Sequence, residues 1–206
     1  MFKFFESLTQ PLPPQEPTQP PKTLFAFCRH YTRGFGKPLI VMSILTATLA
    51  ILEVSLFGFM GQLVDWLVTK NPQTLWQDEH VTLISMSVIV LIVIPVIVWL
   101  HASIVHQTLL GNYPMAIRWQ AHRYLLKQSI GFYQDDFAGR VATKVMQTSL
   151  AVRETVMKLL DVLMYILIYF TSMLVMIASA DLRLMLPMLV WLFAYIAIQW
   201  KLVPKL

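Results

Sequence analysis

Apolar residues make up 57% of the 206-residue chain and charged residues 13%, where soluble domains carry roughly 45–50% and about 25%. Sixteen basic residues against eleven acidic ones leave a formal charge of +5, and the mean hydropathy is +0.62. So few charges cannot cover a water-exposed surface, which excludes an ordinary soluble domain and points to lipid as the solvent. The single cysteine, Cys28, excludes an intrachain disulfide and a cysteine metal cluster. Met1 to Glu6 carries Lys3 but leads into no apolar run, so no secretory signal peptide is read.

Residues 11–21 read PLPPQEPTQPP and hold six of the chain's twelve prolines. This composition predicts an extended, solvated leader over residues 1–22. An amphipathic helix is expected over 23–36. Leu24, Phe27, Cys28 and Tyr31 fall at i, i+3, i+4 and i+7, and Arg29 and Arg33 lie off that stripe. A short basic helix of this kind fits an element lying on an anionic leaflet, the alternative being a helix packed on another domain.

Four apolar segments follow, at Pro38–Trp66, Val81–Leu100, Val162–Ala180 and Leu184–Trp200. Each approaches the roughly 20 helical residues that cross a bilayer core of about 30 Å. Pro95 and Pro187 are expected to kink the second and fourth. Fourteen of the sixteen basic residues fall on the N-terminal side of the membrane, leaving Lys70 and Arg183 opposite. That bias places the N-terminus in the cytoplasm. It also accounts for the net charge without a nucleic-acid partner.

The loops are uneven. Segments three and four are joined by a tight turn near Ser179–Arg183, whereas 101–161 separates segments two and three and is helical in pattern. Ile117, Tyr124 and Leu125 share one face; so do Val141, Val145, Thr148 and Val152. Glu154, Lys158 and Asp161 are spaced as a charge ladder. The expected helices are therefore about 38–66, 81–127, 139–180 and 182–203, with a break at Gly111–Pro114 and a tip over 128–138. Phe132, Tyr133 and Phe137 at that tip need a partner to bury them.

Three residue readings go with this pattern. Glu53, inside the first span, is a costly charge there; it is read as a cavity-facing acid, or else as a packing acid. Thr46, Ala50, Phe57 and Met60 share its face. His101 and His106 do not share a face well and have no acidic ligand near in sequence, so no metal site is read. Asp135 and Asp136 are adjacent, which suits helix capping better than paired catalysis.

The stretch GFYQDDFAGRVATKVMQTSLAVRETV resembles the first intracellular loop of ABC exporters, through Phe132, Tyr133, Asp135, Asp136, Gly139, Val152, Arg153 and Glu154. Arg118, Arg123 and Leu126 before it, and Asp181–Leu184 after it, fit as well. The resemblance covers about residues 23–206 and is nearest to bacterial half-transporters of the lipid-flippase and multidrug type. It implies an all-α membrane protein of the type 1 transmembrane-domain class, with an elbow helix at 23–36 and four of six helices in 37–206. The tip, with Phe132, Tyr133, Asp135, Asp136, Phe137 and Gly139, would act as a coupling helix docked on an ATPase domain, fused or separate.

The resemblance further implies a second half-transporter as partner, surrounding membrane lipids, a multi-pass place in the inner (plasma) membrane, and export of a lipid-like or amphipathic drug-like substrate. No G-x-x-x-x-G-K-[ST] sequence occurs. ATP and Mg are therefore expected to act through the ATPase domain, with no cofactor held by these residues and the translocase activity belonging to a longer polypeptide. A self-contained four-helix scaffold or channel subunit is the alternative.

Overall fold

A computed structural model describes residues 3–70, 75–135 and 138–203. The described residues form helices: α1 (Lys3–Glu6), α2 (Leu24–Tyr31), α3 (Gly36–Thr69), α4 (Leu75–Leu125), α5 (Ile130–Asp135), α6 (Gly139–Ala180) and α7 (Leu182–Leu202). α3, α4, α6 and α7 are long and apolar enough to cross a membrane. At 51 and 42 residues, α4 and α6 far exceed the roughly 20 that crossing requires. The chain forms two compact units, residues 1–49 with 88–164, and 50–87 with 165–206.

The first unit is built on an aromatic and aliphatic cluster. Phe35 stacks on Tyr113 with centroids 4.8 Å apart, and Leu39, Met42, Leu109 and Ile117 are almost wholly buried around them. The Tyr113 hydroxyl lies 2.7 Å from Thr32 Oγ1, so the ring is buried without stranding its polar tip. Phe27, Cys28 and Tyr31 of α2 join this cluster, while Leu24 of the same stripe is 76% exposed. Burial raises the Tyr31 phenol above its ordinary range, with Tyr124 adding to the shift. Between α2 and α3, Gly34 has φ +94°, the left-handed region that a Cβ disfavours.

α4 and α6 each depart from α-helical winding. π turns occupy Ile89–Val93 and Ile104–Leu109 in α4, and Leu159–Leu163 in α6. The first ends just before Pro95, which sits in the first turn of the resumed α-helix, where a missing N–H is tolerated. The second leads into the break expected at Gly111, after which α-helix resumes at Asn112. A π turn shifts the phase of all later side chains. Asp161 accordingly leaves the expected ladder, and Glu154 pairs with Arg153.

The leader is largely exposed, as composition predicts, and it is also bonded to the rest of the first unit. After the short α1 it is irregular, but it lies along one face of α4. Phe5 is buried and packs edge-on against Trp99, and the Thr108 hydroxyl donates to the Phe5 carbonyl at 2.8 Å. Asn112 Nδ2 donates to Glu6 O and to Thr9 Oγ1. Trp119 Nε1 donates to Pro13 O, and Arg123 Nη1 to Pro14 O and Gln15 O at 3.1 and 2.9 Å. Lys127 approaches Glu16. Positions 108, 112, 119, 123 and 127 recur at helical spacing, so α4 offers a row of polar groups to a strand of carbonyls. Proline supplies such a strand, since it lacks a donor of its own and keeps its carbonyls open.

The second unit holds the far half of α3, the start of α4, the end of α6 and α7. Asp181 alone separates α6 from α7, and its side chain accepts from the Arg183 N–H at 2.8 Å, an N-cap that satisfies one orphan donor. Lys70 pairs with Glu79.

Replacing Arg123 by Ala should release residues 13–16 and hasten protease cleavage in the leader, read by limited proteolysis of the protein in membranes. Gly34→Ala meets no atom within 4 Å, so its cost is backbone strain of about 1 kcal/mol, read as a modest fall in melting temperature.

Candidate functional site

The residues singled out by sequence fall at two places. The first is the tip. α4 ends at Leu125, a short turn follows, and α5 carries Phe132 and Tyr133. Their rings meet edge-to-face at 5.3 Å, and both remain more than a third exposed. The Tyr133 hydroxyl donates to Leu125 O at 2.7 Å, tying α5 back to the helix that precedes it. Ile130 on the same short helix is 78% exposed. Asp135 closes α5, and Gly139 opens α6, its carbonyl accepting from Thr143 Oγ1. Asp136 and Phe137 lie outside the described residues.

Behind the tip, α4 and α6 pack on each other. Arg118 Nε donates to the fully buried Ser149 Oγ at 2.9 Å, and Val141, Val152 and Val156 are buried along the seam. A groove of about 660 Å³ runs between the two helices from Met115 to Tyr133, lined by Trp119, Leu126, Val145 and Met146. The tip is thus a small apolar surface on a rigid two-helix stem.

The second place is Glu53, in the second unit. Its carboxylate accepts from the Tyr165 hydroxyl at 2.5 Å, and Tyr165 stacks on Tyr169 at 5.5 Å. The acid is partly buried. A phenol donor gives it a neutral partner and leaves its second oxygen free to accept.

A third polar cluster, in the first unit, was not read from the sequence. Thr46 Oγ1 donates to Asp161 Oδ1 at 2.5 Å, and His101 Nε2 lies 3.1 Å from each of those two oxygens. Thr46 is buried. Ser43, one turn away, lies 2.9 Å from the carbonyl of Leu160 inside the π turn. Residues 46, 101 and 161 are too far apart in sequence for periodicity to join them. The available signal was that His101 and Asp161 end the uncharged runs of two different spans. Glu53 and Thr46 share a face of α3 by spacing, yet each takes its own partner. Among the described residues no group of three His, Cys, Asp or Glu could hold a metal ion.

A helical protein with four apolar spans, two of them prolonged into a stem that bears an aromatic tip, defines the class of a polytopic membrane domain. Residues 39–206 match the family model described as the ABC transporter transmembrane region. The chain belongs to that family, and a role in transport follows from it. An "Uncharacterized ABC transporter ATP-binding protein" of Haemophilus influenzae is 44% identical over 208 residues. That match covers 100% of this chain and 33% of the relative, so the chain spans about a third of the length of the curated relative it matches. No solved structure matches.

Thr46→Val and Asp161→Ala should each cost about 1–3 kcal/mol, because the first takes a donor from the partly buried Asp161 and the second takes the acceptor from the buried Thr46. The double variant should cost less than the sum by 0.5 kcal/mol or more, roughly the coupling expected of direct contact. Thermal unfolding of the four proteins in detergent checks this.

Proposed function

We propose that this chain is the first part of the membrane domain of an ATP-driven exporter, moving a lipid-like or amphipathic substrate outward across the inner membrane. The observation that carries the reading is the exposed Phe132–Tyr133 tip on helices of 51 and 42 residues. A stem of this length transmits force, and a rigid aromatic pair left half exposed provides an anchor for a partner. In this reading α5 docks on an ATPase domain, fused or separate, which binds ATP and Mg. The 33% coverage of an ATP-binding relative supports a fused domain. Closure of two ATPase domains pushes the tips of two half-transporters, and the cavity between the halves changes the side to which it opens.

The N-terminus is cytoplasmic, in keeping with the distribution of basic residues, and α2 lies along the cytoplasmic leaflet as an elbow. Glu53 is the acid of the substrate cavity. It suits a cationic or amphipathic ligand, whose charge replaces Tyr165 as its partner. The family match and the exposed tip favour this reading over a self-contained scaffold or channel subunit.

A cysteine at Ile130 in the full-length protein should form a crosslink to the ATPase domain in native membranes; capture of no ATPase domain would count against the exporter. Tyr133→Ala should lower ATP-driven transport about tenfold or more while membrane insertion is kept, since it removes an anchor worth roughly 1.4 kcal/mol or more. Glu53→Gln should weaken export of cationic amphiphiles about tenfold relative to neutral ones. Equal transport of both by wild type and variant would remove Glu53 from the cavity.

A further inference from the structure

α2 presents two faces. Phe27, Cys28 and Tyr31 pack toward the core cluster. Phe25 and Arg29, with Arg33 from the turn after α2, flank a groove of about 530 Å³ whose far wall is Thr155, Val156, Leu159 and Leu160 of α6. This volume falls within the roughly 300–1,000 Å³ typical of ligand sites. Gly34 and Gly36 contribute no side chain, which keeps one end of the groove open. Its lining combines an apolar floor with two guanidinium groups at the edge.

Among the described residues the charges are not answered by an acid. No carboxylate lines the groove, and among the described residues neither Arg29 nor Arg33 makes an ion pair with an acid. The acids nearest in sequence to the far wall are engaged elsewhere, Glu154 with Arg153 and Asp161 with Thr46 and His101. At the mouth, Leu24 and Phe25 are 76% and 81% exposed. The wall residues Leu159 and Leu160 begin the apolar run of α6, so the floor continues into the membrane-spanning surface. A ligand that fits must carry a negative head and an apolar tail and must arrive from the bilayer.

We propose that the groove between α2 and α6 binds an anionic phospholipid, its phosphate against Arg29 and Arg33 and an acyl chain over Cys28, Val156, Leu159 and Leu160. Two guanidinium groups at the edge of one groove, Arg29 from α2 and Arg33 from the turn that follows it, suit the several oxygens of a phosphate headgroup. The tail replaces water on the groove floor. The bound lipid ties α2 to the π turn of α6, beside the Asp161 cluster. This rests on α2 lying along the membrane surface, as in the proposed function.

The test uses the full-length protein with Phe25→Trp in vesicles of phosphatidylcholine plus phosphatidylglycerol. One of the two lipids is brominated at a time, and the quenching added by the new tryptophan is read against the parent. Brominated phosphatidylglycerol should quench with roughly tenfold preference over its share of the bilayer. The preference should vanish in Arg29→Gln/Arg33→Gln and persist in Arg29→Lys/Arg33→Lys, which keeps the charge and controls for folding. Quenching in proportion to lipid composition would overturn the site while leaving α2 at the membrane surface. Absence of quenching by either lipid would overturn both the site and the surface placement of α2. Loss of the preference on adding inorganic phosphate would assign the arginines to a soluble anion and overturn the lipid.

Discussion

Hydrocarbon offers a backbone amide no partner, so a chain that enters it must satisfy its own N–H and C=O groups, and polar side chains there must find one another. The apolar segments of this chain accordingly form continuous helices, and several polar groups within or beside them are paired. Glu53 has Tyr165, Thr46 and His101 have Asp161, and Ser43 reaches the Leu160 carbonyl. Even the π turns obey the constraint. Where Leu159–Leu163 departs from α-helical winding, a serine hydroxyl and an aspartate supply local bonds, and the Leu110 N–H bonds to Val105 O across the second π turn.

Outside the apolar runs the same helices continue, held by a different chemistry. Water is available there, and stability comes from packing an amphipathic face. α4 and α6 bury Ile117, Val141 and Val152 against each other and link Arg118 to Ser149. The stem ends in α5, whose aromatic pair is anchored by one bond from Tyr133 to Leu125. The leader is part of this stem. Its prolines offer carbonyls to Trp119 and Arg123, and Phe5 fills a place beside Trp99. A segment with the composition of a linker is thus bonded along α4, because that helix carries donors at matching spacing.

The helices were legible in the sequence for a simple reason. Membrane spans are recorded as long runs with few or no charges, and the amphipathic stem as repeats at i, i+4 and i+7. The break at Gly111, the one-residue turn at Asp181 and the aromatic tip at Phe132 and Tyr133 lie where local composition placed them. The expected charge ladder through Asp161 failed because the π turn rotates that residue out of register. The leader is exposed or half-buried over residues 10–22, in keeping with its composition, but composition describes what proline does alone, without the Trp119 and Arg123 side chains that meet its carbonyls.

Local and periodic information in the sequence determined the number of spans, their approximate ends, the stem and the exposed tip, since each depends on residues within a few turns of one another. Tertiary structure decided the partners. Thr46, His101 and Asp161 converge from three helices, Glu53 meets Tyr165 across 112 positions, and α2 and the turn after it bring Arg29 and Arg33 to the groove beside α6. Such pairings depend on helix phase and on which helices are neighbours. Winding defects set the first and packing sets the second, and neither leaves a repeat that one segment can display.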